Sequence, residues 1–294
     1  MNIRPVTSDD LAAIAELFGS VEEAISGRPS LIDADAVAGW IQKVSWDTNT
    51  WLFEEDGTPV AVAFGELHGG RGVFAGAVHP SALGRGLGTR LADLAEARLA
   101  EEGADRFQTW VTAADEAANE LFRGRGYREV RRFWDMAIEL DDKELPEPAV
   151  EIEMFREEDG PAFHAALEES FAEHWEHVTE TFEEWWSRQR SMPGYDLSLW
   201  FLIRDGGEIA AVIRNDPHRF GGGYVGSLGV RRPWRGRGYG RALLLHSFRE
   251  FRNRGMSRAS LGVDAANETG ATRLYESVGM HVEAENAAWE KSLR

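Results

Sequence analysis

The sequence predicts an α+β fold that occurs twice along one chain, because three blocks recur in the same order. The hairpin-like "WLFEEDGTPVAVAFGEL" from Trp51 resembles "WFLIRDGGEIAAVIRND" from Trp200, an offset of 149 residues. "VHPSALGRGLGTRL" from Val78 parallels "VRRPWRGRGYGRAL" from Val230, and "IRPVTSDD" from Ile3 resembles "IEMFREED" from Ile152. Ordered self-similarity of this kind marks a duplicated unit, and 294 residues suit two domains. Between the copies, "DDKELPEPAVE" at residues 141–151 has two prolines, many charges and no apolar period, so it reads as a linker. The expected division is a first domain over 1–142, a linker over 143–150 and a second domain over 151–294.

Each copy reads in order as a short strand, helical segments, a hairpin around Asp-Gly, a strand, a glycine loop, an amphipathic helix, a strand, and a final helix and strand. That mixed order implies α+β rather than a repeating βαβ wheel. In the second copy the hairpin turn is expected at Asp205 and Gly206. "GGYVGSLGV" is a strand whose glycines signal a bulge or close backbone approach. "ALLLHSFREFRNRG" repeats apolar residues at helical spacing and stops at Gly255. "RASLGVD" is strand-like, and "TGATRLYESVG" is a short helix stopped by Gly279.

A composition of 43% hydrophobic residues, with eleven Trp and fifteen Phe, excludes wholesale disorder. The first residues lack the basic region and apolar run of a signal peptide, and no apolar run reaches about 18 residues, so a cytoplasmic location is expected. The absence of cysteine excludes disulfides, thiolate metal sites and a cysteine nucleophile. Net charge of −18, from 32 basic and 50 acidic side chains, opposes nucleic acid and anionic membranes as partners. A small anion held by a local basic cluster remains compatible with it, and "RRPWRGRGYGRALL" at residues 231–244 gathers five arginines.

Alternating glycines between a strand and a helix expose several backbone N–H groups to one anion, and the helix N-terminus adds partial positive charge. Gly236, Gly238 and Gly240 form G-x-G-x-G, which is not the dinucleotide G-x-G-x-x-G, and the G-K-[ST] of NTPase loops is absent. The loop therefore reads as a pyrophosphate cradle of neither usual nucleotide class, with Arg237 and Arg241 placed to add charge-assisted contacts.

"RGRGYG", Arg235 to Gly240, is the R/Q-x-x-G-x-G/A pattern of the GNAT acyltransferases. "NETGATRLYESVGM", Asn267 to Met280, resembles that family's N…A…LYE…GF ending. The chain is thus identified as a tandem GNAT acetyltransferase, similar in its two-domain plan to the mycothiol synthase group. The resemblance covers most of the second copy and the first more loosely. It implies two domains, each a twisted, mostly antiparallel mixed sheet flanked by helices and splayed in the middle, with acetyl-CoA in the wedge. Backbone groups of Leu228, Gly229 and Val230 would face the thioester and pantetheine arm, where an N–H could serve as an oxyanion donor. Arg235, Gly236, Arg237, Gly238, Tyr239, Gly240 and Arg241 would hold the pyrophosphate, and Asn267 would contact the arm. The corresponding positions of the first copy are Val78, Gly84, Arg85, Gly86, Leu87, Gly88 and Thr89. Asn267 reads equally well as a helix cap.

Acetyl transfer to an amine has definite demands. An alkylammonium of pKa about 10.4 loses its proton at pH 7 at a cost of roughly 4.6 kcal/mol, and the departing thiolate, of pKa about 8.5, needs a proton. By the resemblance Tyr275 is the general acid; the alternative is a ring that seals its helix against the sheet. The first copy has Phe122 at the Tyr275 position and Leu83 at the Arg235 position. Phenylalanine cannot donate a proton, so the first domain is expected to be non-catalytic.

"FAEHWEHVTETFEEWWSRQR", Phe171 to Arg190, lies where the family places its acceptor-binding helices. Glu173 is the candidate base there, with His174 and Trp175 to hold an amine; an amphipathic helix exposing Glu and burying Trp is the competing reading. Glu176, His177 and Asp264 are further candidate bases. His174 and His177 lack identifiable companion ligands, so no metal is expected. The expected function is acetyl-CoA-dependent N-acetylation of a small-molecule primary amine. A non-catalytic acyl-CoA sensor and acetylation of a thiol-sugar amine precursor are the alternatives.

Overall fold

Residues that alternate along the central strands pack against helices on opposite faces of a sheet, the period-2 rule for a strand covered on both sides. The computed structural model describes residues 1–42, 44–192, 195–267 and 270–293. The first repeat forms β1 (Asn2–Arg4), α1 (Leu11–Ser26), α2 (Ala34–Trp40), α3 (Trp46–Asn49), β2 (Thr50–Glu55), β3 (Thr58–His68), β4 (Arg71–Val78), α4 (Leu87–Glu101), β5 (Arg106–Thr112), α5 (Glu116–Gly124) and β6 (Arg128–Glu139). The second forms β7 (Glu153–Met154), α6 (Gly160–Phe171), α7 (Phe182–Ser191), β8 (Phe201–Asp205), β9 (Glu208–Arg219), β10 (Gly222–Val230), α8 (Tyr239–Asn253), β11 (Arg258–Asp264), α9 (Ala271–Ser277) and β12 (His281–Ser292).

The compact units do not end where the repeats end. One unit is Met1–Phe133 with Ala284–Arg294, and the other is Trp134–Glu283. In the first, β1 to β5 lie in sequence order, antiparallel except for the parallel pair β4 and β5. Residues 286–292 of β12 complete it by pairing antiparallel with β5, Trp289 opposite Thr109. The second unit repeats the plan from β7 to β11, with β10 and β11 as its parallel pair. Its remaining neighbour for β11 is β6, the closing strand of the first repeat, and the Leu140 N–H donates to Ser257 O at 2.7 Å. Both repeats therefore give up their last strand, which moves residues 134–142 and 284–294 across the sequence-based boundaries.

In the second unit Phe201, Ile203, Ala211 and Ile213 join the α8 core with Leu244, Phe248 and Phe251. Leu202 and Val212 face the other way, towards Phe163 and Trp185 of α6 and α7. The first unit is likewise covered by α1 and α2 on one face and α4 on the other. Residues 143–150 are not a free tether. Leu145 is buried in the α8 core, Glu147 pairs with Arg249 at 2.7 Å, and Arg252 Nη1 donates to Lys143 O at 2.8 Å.

The hairpin turn also differs from expectation by one residue. Asp205 is paired with Glu208, and Gly206 and Gly207 take φ values of 65° and 85° between them. Two left-handed residues match the twist of a two-residue hairpin, and in the first copy Asp56 and Gly57 do the same with 50° and 80°. Leu52 pairs with Val62 and Leu202 with Val212, so the hairpins correspond at an offset of 150.

The origin of β12 has a direct consequence. Trp289 is buried with Phe107 and Phe122, and its indole N–H donates to Asn119 Oδ1 at 3.0 Å. Trp289→Ala is expected to cost the first unit about 3–5 kcal/mol. Hydrogen exchange should show lost protection at residues 106–112 rather than at 258–264.

Candidate active site

β10 and β11 share only two rungs, Gly223 with Ala259 and Tyr224 with Ser260. β10 then runs on to Val230 and β11 to Asp264 without further pairing, so the sheet opens into a wedge. The backbone edge of Leu228, Gly229 and Val230 that faces away from β9 is outside the β11 ladder, and unpaired backbone groups of this kind need a partner. Two register shifts mark the β9/β10 ladder, one between Gly222 and Tyr224 and one between Val225 and Ser227. The second inserts Gly226. A Cβ on Gly226 would stand 2.1 Å from Arg214 Nη2 and 2.9 Å from Asp216 Oδ2, so the bulge needs glycine to admit the Arg214–Asp216 pair, 2.5 Å apart. At Gly229 a Cβ would come within 2.9 Å of Ser170, so glycine there lets α6 press on the strand.

Gly236 and Gly238 have φ of 79° and 84°, and a Cβ on either would meet nothing within 4 Å. The conformation demands glycine, and the space around it is open to a ligand. Gly238 caps α8, whose first N–H groups lack intrahelical acceptors. Gly240 has another purpose: it is buried on the first turn, where a Cβ would stand 3.0 Å from Leu274 of α9.

The loop arginines are held by carboxylates. Asp205 Oδ2 accepts from Arg237 Nη1 at 2.7 Å and from the Tyr239 hydroxyl at 2.8 Å. Arg231 pairs with Glu169 and Glu208, and Arg235 Nε donates to Val230 O at 3.1 Å. Glu173 pairs with Arg232 and lies 3.9 Å from Arg235. The residue expected as a base is thus paired with arginines of the glycine loop. Arg241 is exposed on the first turn of α8.

Tyr275 is buried on α9, in the α8 core. Burial, and secondarily the nearby Tyr224, push its phenol up to about 12. Tyr224 stands on the last shared rung of β10 and β11, where the wedge begins. Asn267 Oδ1 accepts from the Ala271 N–H at 3.4 Å, although the N-cap position of α9 is Gly270; Glu268 and Thr269 of the same motif lie outside the described residues. Asp264 Oδ1 accepts from the Ala266 N–H at 2.9 Å.

The segment expected to be helical from Phe171 is broken. Residues 172–181 form turns and loop between α6 and α7. His174 and Trp175 are half-buried there, His174 packs on the Phe171 ring at 4.5 Å, and His177 Nε2 lies 3.2 Å from Glu168. Trp185 and Trp186 pack with Phe155, Phe182 and Trp200, as the amphipathic reading requires. Among the described residues no group of three or more His, Cys, Asp or Glu is arranged for a metal ion, and no helix is long and apolar enough to cross a membrane.

The first unit keeps the scaffold and changes its contents. β4 and β5 share only the rungs from Arg71 to Val73. Gly84 and Gly86 have φ of 73° and 75° and the same open space, with Gly86 capping α4. Arg85 pairs with Glu55 as Arg237 does with Asp205. Leu87 is buried with Phe53 and Leu91, however, and Gly88 packs near Leu121. The β3/β4 ladder has no register shift, so this unit lacks the bulge. Phe122 is enclosed by Phe74 and Tyr127.

Sequence reasoning missed one group. A Cβ built on Gly262 of β11 would lie 3.5 Å from the Tyr224 hydroxyl and 3.7 Å from Asp135 Oδ1. Asp135 belongs to β6, far outside the second repeat. The offset between the repeats lengthens from 150 at the hairpin to 152 at Val78 and Val230, and Gly226, one of the two residues inserted, is the signal in the sequence that this wedge differs.

The profile of the Acetyltransferase (GNAT) family matches residues 18–127 and again 153–280. The mycothiol acetyltransferase of Thermobispora bispora is 34% identical over 213 residues, covering 69% of this chain and 70% of that protein. A crystal structure of a GCN5-related N-acetyltransferase from Sphaerobacter thermophilus is 33% identical with a TM-score of 0.85, over 100% of this chain and 96% of that one. A tandem GNAT protein from the clavulanic acid biosynthesis pathway, at 14% identity and a TM-score of 0.76 over 99% and 98% of the chains, shares the fold.

Because Tyr275 ionises near 12 when folded and about 10 when unfolded, the folded state keeps the proton longer. Its contribution to stability is therefore present below about pH 10 and falls as pH rises towards about 12. Phenolate absorbance titration of Tyr275→Phe should lose one late-titrating group.

Proposed function

The chain belongs to the GNAT acetyltransferase family, and on that premise we propose that its second unit transfers the acetyl group of acetyl-CoA to a primary amine of a small molecule. The observation that carries this reading is a buried, protonated phenol close to Tyr224, where the wedge begins, in a unit that also holds an open glycine cradle. Gly236, Gly238 and the N-terminus of α8 hold the pyrophosphate, with Arg241 nearby. Backbone groups of Leu228 to Val230 line the arm and polarise the carbonyl. Bound acetyl-CoA supplies an activated acetyl group and leaves as a thiol. Tyr275 Oη gives its proton to the departing sulfur as the C–S bond breaks and the new C–N bond forms. The proton lost from the amine nitrogen balances the one that Tyr275 regains.

A phenol near 12 is a weaker acid than a thiol near 8.5. Transfer to a fully formed thiolate is therefore uphill, and turnover in this reading requires that Tyr275 regain its proton, which the amine supplies. Burial keeps the donor fully protonated throughout the neutral range.

The first unit is the non-catalytic partner in this reading. It has a phosphate cradle but carries Phe122 at the acid's position, and it has no bulge beside its wedge. Acetylation of a thiol-sugar amine is the second reading, favoured by the name of the Thermobispora bispora relative; mass-spectrometric detection of an acetylated thiol-sugar amine tests it.

Since the chain has no cysteine, a thiol reagent reads released CoA without a protein background. In an amine panel, Tyr275→Phe is expected to lower amine-dependent CoA release at least about tenfold while CoA binding measured by calorimetry persists. Unchanged turnover would overturn the assignment of the acid.

The two cradles should separate by substitution. Gly238→Val forces a branched residue into a left-handed conformation, at a cost of about 1–3 kcal/mol, and should abolish turnover. Gly86→Val, with the same backbone strain in the first unit, should leave kcat within about twofold of the parent.

A further inference from the structure

We propose that Asp135, with Tyr224 beside it, forms the subsite that receives the protonated amine of the acceptor. This deepens the acetyl-transfer reading above and rests on it. Tyr224 is on the last rung shared by β10 and β11, and Gly262 lies two residues past the β11 end of that rung. The Tyr224 hydroxyl and Asp135 Oδ1 both approach the place where a side chain on Gly262 would stand, at 3.5 and 3.7 Å. Gly262 is exposed and its backbone φ is ordinary. Backbone geometry therefore does not demand glycine there; what its absence of a side chain provides is room between a carboxylate and a hydroxyl.

That room suits an alkylammonium. The group is charged at neutral pH, with a reference pKa of about 10.4, and its N–H donors match a carboxylate and a phenolic oxygen. Two residues beyond Tyr224 on β10, Gly226 admits a further polar pair, since a Cβ there would collide with Arg214 and Asp216. The Arg214–Asp216 pair is mostly buried, with side-chain exposures of 12% and 11%, so it forms a fixed polar wall.

The first unit supplies an internal comparison. Its last rung joins Val73 to Gln108, so Trp110, two residues further on, stands where Gly262 does. Ala288 lies opposite Trp110. Where the second unit presents a hydroxyl, a carboxylate and a space, the first presents valine, alanine and an indole. The polar group thus accompanies Tyr275 and is missing where Phe122 replaces it. It also explains why no carboxylate within the second repeat suggests itself as the acceptor's partner: Asp135 is delivered by the last strand of the first.

The test uses the full chain, with benzylammonium and glucosamine hydrochloride as probes and N-benzylacetamide and N-acetylglucosamine as uncharged counterparts, titrated at neutral pH by ligand-observed NMR. At least one ammonium probe should bind at least about tenfold more tightly than its acetylated counterpart. Asp135→Asn should weaken that binding at least about tenfold with CoA affinity within about twofold of the parent. Gly262→Trp, which installs the first unit's residue, should block the probe and likewise spare CoA. Probe affinity unchanged in Asp135→Asn, or no ammonium probe binding to the parent at millimolar concentration, would overturn the subsite. The acetyl-transfer reading stands or falls separately, on CoA release by Tyr275→Phe.

Discussion

The parting of β10 from β11 after two rungs is the constraint on which the rest of the second unit depends. A parallel pair that stops early leaves backbone donors and acceptors without partners, and buried ones are costly. The unit tolerates this because each strand is secured on its other edge. β10 remains paired with β9 as far as Ala211 and Val230, and β11 has β6 beside it. The wedge is consequently a stable opening in a sheet rather than a frayed edge, with Leu228 to Val230 outside the β11 ladder. Tyr275, the Gly226 bulge and the glycine cradle acquire their meaning from their positions along that opening.

Charge at the cradle follows a different logic from net charge. A chain at −18 keeps the loop's arginines, but pairs Arg231, Arg232, Arg235 and Arg237 with Glu169, Glu208, Glu173 and Asp205. Surface pairs of this type are worth about 0–1 kcal/mol each. Such pairs exchange partners at small cost, while the acids position the guanidinium groups. The open amides around Gly236 and Gly238 carry no such counter-charge and provide the invariant part of the cradle.

What was legible in the sequence was local. The repeat, the mixed sheet, the bulge-prone "GGYVGSLGV" and the placement of Tyr275 on a short helix each follow from a few neighbouring residues. The non-local facts were not legible. Glu173 looked like a base because its partner Arg232 is 59 residues away, and Gly240 looked like part of the anion loop although its neighbour is Leu274. The exchanged last strands were invisible because strand pairing is set by residues distant in sequence, as β12 is from β5. The hairpin slipped by one because Asp-Gly and Gly-Gly are both competent turn pairs, and only the ladder decides between them.

The two units fill their corresponding positions differently, and the cost of polar groups near a core bears on that difference. A phenol, carboxylate or guanidinium near a closed core is unfavourable unless it is paired or solvated. Apolar residues at such positions add packing and remove that cost. The first unit has done this repeatedly: Phe122 nests between Phe74 and Tyr127, and Phe64 stands at the position of Arg214, as the pairs Val62–Leu52 and Val212–Leu202 align them. Yet this unit still needs β12 from the second repeat, and the second needs β6 from the first. Exchange of strands makes the folding of each unit depend on the presence of the other repeat, which gives the first repeat a structural reason to persist whether or not its cradle ever holds a phosphate.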